Sequence, residues 1–145
     1  MTIETALAPL LGTWTVEVEI GPPDGPPATT TFAPVLGGAF LLQRAEVPSV
    51  PEAPGVHALI EPRADGTFLQ HYFDSRGVVR RYAMTFADGL WTLERHRPEA
   101  DFGQRFQGRL SDDGDTIAGA WEIERDGALV HDFAMVYRRQ AASEV

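Results

Sequence analysis

The sequence has no cysteine, no long apolar run and few positive charges. Without cysteine, the 145-residue chain has no disulfide, no thiolate metal ligand and no cysteine nucleophile. No apolar run approaches the roughly 20 residues that a membrane-spanning helix needs. The 12 Lys and Arg residues are outnumbered by 21 Asp and Glu residues, which gives a net charge of −9. Nucleic acids and anionic membranes attract basic surfaces, so neither is an expected partner.

Motifs for catalysis, metal binding and export are also lacking. The 4 histidines show neither H-x-H nor H-E-x-x-H spacing, and the acidic residues 111–115 lack the DxDxDG pattern of a calcium loop. No serine stands in a G-x-S-x-G setting. Residues 1–12 have neither the basic start nor the long apolar stretch of a signal peptide. We therefore expect a cytoplasmic protein without a metal, and the sequence leaves open whether it is an enzyme.

The sequence does contain repeated alternation of apolar and polar residues with a period of two. Trp14, Val16 and Val18 alternate with polar neighbours, which is typical of a half-buried strand. Similar short segments follow along the whole chain, separated by turns rich in Gly, Pro and Asp. The predicted strands are residues 14–20, 28–33, 39–47, 56–61, 67–74, 78–86, 90–96, 104–110, 116–125 and 128–138.

Ten short strands joined mostly by turns predict an all-β fold, a roughly ten-stranded antiparallel meander barrel in a single domain. Residues 1–11 are expected to form a short helical cap, because their apolar side chains share one face and Pro9 prevents a longer helix. The barrel is predicted to span residues 12–139, followed by a tail at residues 140–145. The proline-rich residues 48–55 are predicted to form a long exposed loop.

Residues 66–86 hold the densest mixture of aromatic and polar side chains and are predicted to form a hairpin. A three-residue turn at residues 75–77 sets the register of its two strands. The predicted pairs are Tyr72 with Arg80, Gln70 with Tyr82, and Phe68 with Met84. The face of these residues is the more apolar one and should point inward. A register error of one residue would turn His71 and Arg81 inward instead.

The turns also predict the strand pairing of two later hairpins. A two-residue turn at residues 88–89 predicts the pairs Phe86 with Trp91, Met84 with Leu93, and Tyr82 with Arg95. In the last hairpin, a two-residue turn would set Glu122 against His131 and split the apolar faces. We therefore favour a three-residue turn at residues 125–127, which predicts the pairs Trp121 with His131, Gly119 with Phe133, and Ile117 with Met135.

A barrel of ten strands encloses a cavity unless large side chains fill it. The predicted lining is rich in aromatic residues, Phe40 among them, and it also carries polar groups that need partners once they are buried. The candidate ligand-binding residues are Gln70, Tyr72, Arg80, Tyr82, Trp91, Arg95, Trp121, His131 and Tyr137. An inward arginine needs a carboxylate. For Arg80, that group is either a ligand's or the side chain of Asp74 at a solvated rim.

Three functions fit this lining. The leading one is binding of a small, largely apolar molecule, with a carboxylate or carbonyl group, inside the barrel. The second is a cofactor-free isomerase or cyclase in which Tyr72, Arg80 and Tyr82 donate hydrogen bonds to a developing oxyanion. The third is haem binding through His131 on the last strand, whose alternative interpretation is a core histidine bonded to a neighbour. The assembly state, monomer or homodimer, stays open.

Several segments resemble a known group of β-barrels. The sequence LAPLLGTW at residues 7–14, followed at once by a strand, resembles the opening of lipocalin-like and nitrobindin-like barrels. Residues 71–82, 102–122 and 132–139 resemble a bacterial family of small lipocalin-like, or calycin-like, barrels of unassigned function. The resemblance implies a ten-stranded barrel whose cavity holds apolar or carboxylate-bearing ligands or haem. Residues 80–82 also have the Arg-x-Tyr spacing with which fatty-acid-binding barrels hold a carboxylate.

Overall fold

The computed structural model describes residues 2–19, 25–48, 50 and 55–141. Within these residues, ten antiparallel strands close into one barrel in the order β1-β10-β9-β8-β7-β6-β5-β4-β3-β2. The strands are β1 (Gly12–Val18), β2 (Ala28–Val35), β3 (Phe40–Glu46), β4 (Gly55–Pro62), β5 (Phe68–Asp74), β6 (Val79–Ala87), β7 (Leu90–Arg95), β8 (Gln104–Leu110), β9 (Thr116–Arg125) and β10 (Ala128–Arg139). The predicted all-β meander barrel is confirmed. Residue 20 and much of the predicted loop at 48–55 lie outside the described residues.

The N-terminal cap consists of a single α-helical turn, α1 (Ile3–Ala6), and a 3₁₀ turn at Ala8–Leu10. Thr2 begins the helix, since its side chain accepts a hydrogen bond from the backbone N–H of Thr5. Another 3₁₀ turn, at Leu36–Gly38, joins β2 to β3. The cap is therefore shorter than an ordinary helix. No helix among the described residues has the length and apolarity to cross a membrane.

The cap closes one end of the barrel. The indole Nε1 of Trp14 donates to the carbonyl of Leu10 at 2.9 Å, and the guanidinium of Arg139 lies 4.2 Å from the Trp14 ring. Arg139 also donates to the carbonyls of Pro9 and Leu11, which fixes the cap against the last strand. Side chains from all sides fill this end, and the largest fully buried ones include Trp14, Phe32, Leu41, Ile60, Met84 and Ile117.

The predicted register of the central hairpin is confirmed. Tyr72 faces Arg80, Gln70 faces Tyr82 and Phe68 faces Met84. The turn at residues 75–77 ends on Gly77, whose φ of 80° is the left-handed conformation that glycine adopts without strain. The next hairpin is also as predicted, with Phe86 opposite Trp91 and Met84 opposite Leu93, although its ladder ends one pair before Tyr82 and Arg95.

The predicted register of the last hairpin is wrong at its turn. Asp126 and Gly127 both have positive φ, 52° and 81°, so the turn has two residues and His131 lies opposite Glu122. The extra residue is inserted further along, in a bulge between His131 and Phe133. Beyond this bulge the pairing is shifted by two residues from the prediction. Phe133 lies opposite Trp121, and Gly119 lies opposite Met135 instead of Phe133.

Candidate functional site

A cavity of about 410 Å³ occupies the barrel end that lies opposite the N-terminal cap. It is bounded by the last residues of β1 and β5 and the first residues of β2, β4 and β6. Its size falls within the range of roughly 300–1,000 Å³ that is usual for small-molecule sites. Much of its wall is apolar, including Val16, Ala58, Leu93, Phe106, Phe133 and Met135. The barrel is therefore packed solid at one end and hollow at the other.

Three amide side chains, Gln43, Gln70 and Gln104, border the cavity. The side chain of Gln70 on β5 donates to that of Gln43 on β3 at 2.9 Å, and both are buried. On the other side, the Gln104 side-chain oxygen accepts from the Tyr82 hydroxyl at 3.0 Å and from the Arg95 Nε at 2.7 Å. Each amide carries both donor and acceptor groups, so these bonds leave hydrogen-bonding capacity for a ligand.

Tyr72, Asp74 and Arg76 form a bonded group at the mouth of the cavity. The Tyr72 hydroxyl donates to Asp74 at 2.8 Å, and the Arg76 guanidinium donates to the same carboxylate at 2.6 Å. The bonds from Arg76 hold the pKa of Asp74 well below its usual range. Burial, and then the Asp74 carboxylate, raise the pKa of Tyr72. Asp74 is thus ionised at neutral pH and already fully engaged.

Arg80 differs from the other arginines of the mouth. Within the described residues it forms no ion pair. Of the two alternatives for its counter-charge, Asp74 is wrong, because Asp74 is bound to Arg76 instead. The Arg80 guanidinium lies 5.3 Å from the centre of the Phe102 ring and borders the cavity. A cation–π contact of this kind offsets only part of the need for a counter-charge. Arg80 is therefore available to an anionic ligand.

Arg95 is a buried arginine that contacts the rings of Tyr82 and Phe102. Its side chain is 7% exposed, and it forms an ion pair of 3.1 Å with Asp101. Its guanidinium lies 4.3 Å from the centre of the Phe102 ring, so Arg80 and Arg95 both contact this ring. Burial raises the pKa of the Tyr82 hydroxyl, although the nearby cations, Arg80 first, act in the opposite direction. Arg95 is not among the residues that border the cavity, and its guanidinium is bonded to Gln104 and Asp101, so its role as a ligand contact stays a prediction.

The aromatic residues form a continuous series from the mouth to the floor. The ring centres of Tyr72 and Tyr82 are 6.2 Å apart, and those of Tyr82 and Trp121 are 5.4 Å apart. Phe106 continues the series at 5.4 Å from Trp121, and Tyr137 ends it at 6.4 Å from Phe106. All five residues border the cavity, as does Trp91. The predicted ligand-binding residues Gln70, Tyr72, Arg80, Tyr82, Trp91, Trp121 and Tyr137 all border the cavity, and their contact with a ligand stays a prediction.

The prediction that His131 points inward is wrong. Its side chain is 56% exposed and pairs with Glu19 at 3.2 Å on the outer surface. The cause is the two-residue turn, which puts His131 on the outward face ahead of the bulge. A backbone bond from Ala134, and then His131, lower the pKa of Glu19. No histidine borders the cavity among the described residues, and no cluster of three or more metal-ligating side chains occurs there.

Comparison with known proteins finds a likeness of fold. The crystal structure of Rv2717c from M. tuberculosis superposes with a TM-score of 0.61 at 19% sequence identity, covering 95% of this chain and 97% of that chain. The likeness shows the fold alone. No family model matches the chain, and no curated protein matches it. The calycin-like resemblance is therefore supported as a ten-stranded antiparallel barrel, without assignment to a family.

Sequence reasoning missed several residues of the site. On β3 the inward residues are Leu41 and Gln43, whereas Phe40 was expected to point inward. The segment FLLQ contains adjacent apolar residues and so gives no clear alternation. Phe102 and Asp132 also border the cavity, from the β7–β8 connection and from the bulge in β10. Neither position belongs to a regular strand pattern, so only the three-dimensional structure reveals it.

Proposed function

We propose that the protein binds a small, largely apolar monocarboxylic acid, with its acidic group at the mouth and its apolar part in the cavity. The observation that carries this proposal is Arg80, a cation that borders a largely apolar cavity and has no carboxylate partner among the described residues. Arginine binds carboxylates with two parallel hydrogen bonds, which gives orientation as well as affinity. The volume of about 410 Å³ accommodates roughly fourteen heavy atoms, if each takes the roughly 30 Å³ of a liquid water molecule.

Asp132 supports a ligand with one acidic group. It borders the same cavity from β10, and β7, β8 and β9 separate that strand from β6 in the ring of ten. Arg80 and Asp132 thus lie on nearly opposite sides of the mouth. Asp132 forms no ion pair within the described residues, so its charge repels a second carboxylate. A monoacid whose carboxylate faces Arg80 avoids this repulsion.

Binding is better supported than the catalytic alternative. An oxyanion site requires hydrogen-bond donors that are free before the reaction and are aimed at one point. The Tyr72 hydroxyl already donates to Asp74, and the Tyr82 hydroxyl already donates to Gln104. Each would have to break an existing bond to serve an oxyanion. The outward position of His131 likewise removes the geometric basis on which haem binding was expected.

Arg80→Gln should weaken the binding of decanoate by about tenfold or more, because a charge-assisted hydrogen bond in a partly buried site contributes roughly 1.5–3 kcal/mol. The measurement is titration calorimetry, supported by quenching of Trp91 and Trp121 fluorescence. The matched control is Arg81→Gln, since Arg81 is the adjacent residue on the outer face of the same strand and is exposed. It removes the same charge and should leave the affinity unchanged.

The uncharged methyl ester of decanoate adds a second control. The ester should bind the unsubstituted protein, Arg80→Gln and Arg81→Gln with the same affinity, because it has no carboxylate that could pair with Arg80. Absence of decanoate binding, or equal weakening by both arginine substitutions, would overturn the proposal. The second result would indicate a general effect of net charge rather than a contact inside the barrel.

A further inference from the structure

Tyr137 is a polar group at the cavity floor that the proposed function does not use. It is 5% exposed and borders the cavity from β10. The Tyr72 and Tyr82 hydroxyls donate to Asp74 and Gln104, whereas the Tyr137 hydroxyl forms no hydrogen bond with a described residue. Burial raises its pKa, so the phenol is neutral and able to donate. A hydroxyl in the cavity wall loses its solvent partner when an apolar ligand covers it, and this loss is unfavourable unless the ligand supplies an acceptor.

The surroundings of Tyr137 are almost entirely apolar. Its ring lies 6.5 Å from that of Trp14, 5.7 Å from that of Trp91 and 6.4 Å from that of Phe106, measured between ring centres. The buried indole Nε1 of Trp91 also lacks a partner among the described residues. Tyr137 itself borders the cavity. The floor therefore offers a donor and no matching acceptor.

The distance from the mouth to Tyr137 sets the length of a ligand that reaches both ends. Phe133 and Tyr137 border the cavity from the same strand and are four residues apart, which corresponds to roughly 13 Å at about 3.3 Å per residue. An extended chain advances roughly 1.2 Å per single bond, so about ten bonds span this distance. A chain of this length also matches the cavity volume. A molecule of this length that enters at the mouth, where Arg80 lies, reaches the level of Tyr137.

We propose that the ligand is an ω-oxygenated monocarboxylic acid of about ten chain atoms, which places its carboxylate at Arg80 and a terminal hydroxyl or carbonyl oxygen at Tyr137. This inference rests on the proposed function, because it takes the acidic end of the ligand from there. It adds the functional group that the ligand carries at its buried end, next to Tyr137. A plain aliphatic acid would press a methyl group against the phenol and leave the hydroxyl unpaired, whereas the oxygenated acid supplies the missing acceptor.

The test compares two ligands that differ in one atom, ω-hydroxydecanoate and undecanoate. Both have the same number of heavy atoms, and only the first has an oxygen at its far end. The protein should bind ω-hydroxydecanoate about tenfold more tightly, since one buried hydrogen bond is gained and one unpaired hydroxyl is avoided. In Tyr137→Phe this ratio should fall to about one. The substitution removes an atom that has no partner among the described residues, so the unfolding temperature should not decrease.

Arg80→Gln separates failure of this inference from failure of the proposed function. It should weaken both ligands by the same factor and preserve their ratio, because it acts at the other end. Equal affinities in the unsubstituted protein, or an unchanged ratio in Tyr137→Phe, would overturn the inference while the proposed function stands. If neither acid binds, the proposed function fails and this inference with it. If Tyr137→Phe does not fold, the ratio of the affinities for ω-hydroxydecanoate and undecanoate in the unsubstituted protein still tests the inference.

Discussion

Gly119→Ala should lower the free energy of unfolding by at least about 3 kcal/mol, the upper end of what overpacking usually costs. Gly119 lies directly opposite Gly108 where β8 and β9 pair. A Cβ atom added at Gly119 would stand 2.3 Å from the carbonyl oxygen of Gln107 and 2.7 Å from the Cα of Gly108. Both neighbours are backbone atoms of a paired strand, so relief requires the strands to separate. Urea unfolding followed by circular dichroism measures the change.

Gly103→Ala is the matched control for this substitution. Gly103 is buried and, like Gly119, lies outside the left-handed region, but its nearest contact for an added Cβ is 3.4 Å from the Glu124 side chain. That spacing is an ordinary van der Waals contact, so we expect a change within about 1 kcal/mol. Equal effects of the two substitutions would contradict the argument that the close approach of β8 and β9 makes Gly119 necessary.

The sequence was sufficient to predict the fold and the central hairpin, because both depend on local rules. Alternation with a period of two identifies strands, and short turns between neighbours favour an antiparallel meander. At residues 75–77 the turn length fixed the register, and this placed Tyr72, Arg80 and Tyr82 inside the barrel together. Each step used residues that are close in the chain. The inward placement of Arg80, on which the proposed function rests, follows from these steps.

The register of the last hairpin was predicted wrongly because two local rules favour different turn lengths there. In the last hairpin, the Asp-Gly pair favours a two-residue turn, whereas the apolar faces of β9 and β10 favour an extra residue. The structure satisfies both rules, because the turn has two residues and the extra residue, Asp132, forms a bulge within β10. This arrangement turns His131 outward and directs Asp132 to the cavity. A bulge inside a strand has no strong sequence signature, so the pattern alone does not locate it.

The sequence also does not predict which charged side chains pair with each other in the site. Asp74 shares a face with Tyr72 and Arg80, yet its carboxylate is taken by Arg76 of the adjoining turn. The pairing depends on how the turn directs the Arg76 side chain, which alternation does not describe. Because Asp74 is occupied, Arg80 remains without a carboxylate among the described residues. The feature that best supports ligand binding is thus one that only the folded structure reveals.

Ala58→Phe should abolish binding of decanoate in the cavity, with a loss of affinity of at least about 100-fold. Ala58 lies on β4, is 1% exposed and borders the cavity between Gln43 and Tyr72, its neighbours across the two strand pairs. A phenyl group at this position projects into the space that the ligand's chain would occupy. The cavity of about 410 Å³ has room for the ring. Filling it buries apolar surface, so the free energy of unfolding should stay equal or rise by about 1 kcal/mol.

Loss of affinity without loss of stability is the result that would identify the cavity as the binding site. Ala118→Phe provides the control, since Ala118 is exposed on the outer face of β9 and the same ring there leaves the cavity open. Decanoate should bind this variant with unchanged affinity. If Ala58→Phe binds decanoate as tightly as the unsubstituted protein does, the acid binds elsewhere on the surface. Arg80 would then be a solvated rim residue, because a ligand anchored by Arg80 with its chain in the cavity cannot coexist with the phenyl ring.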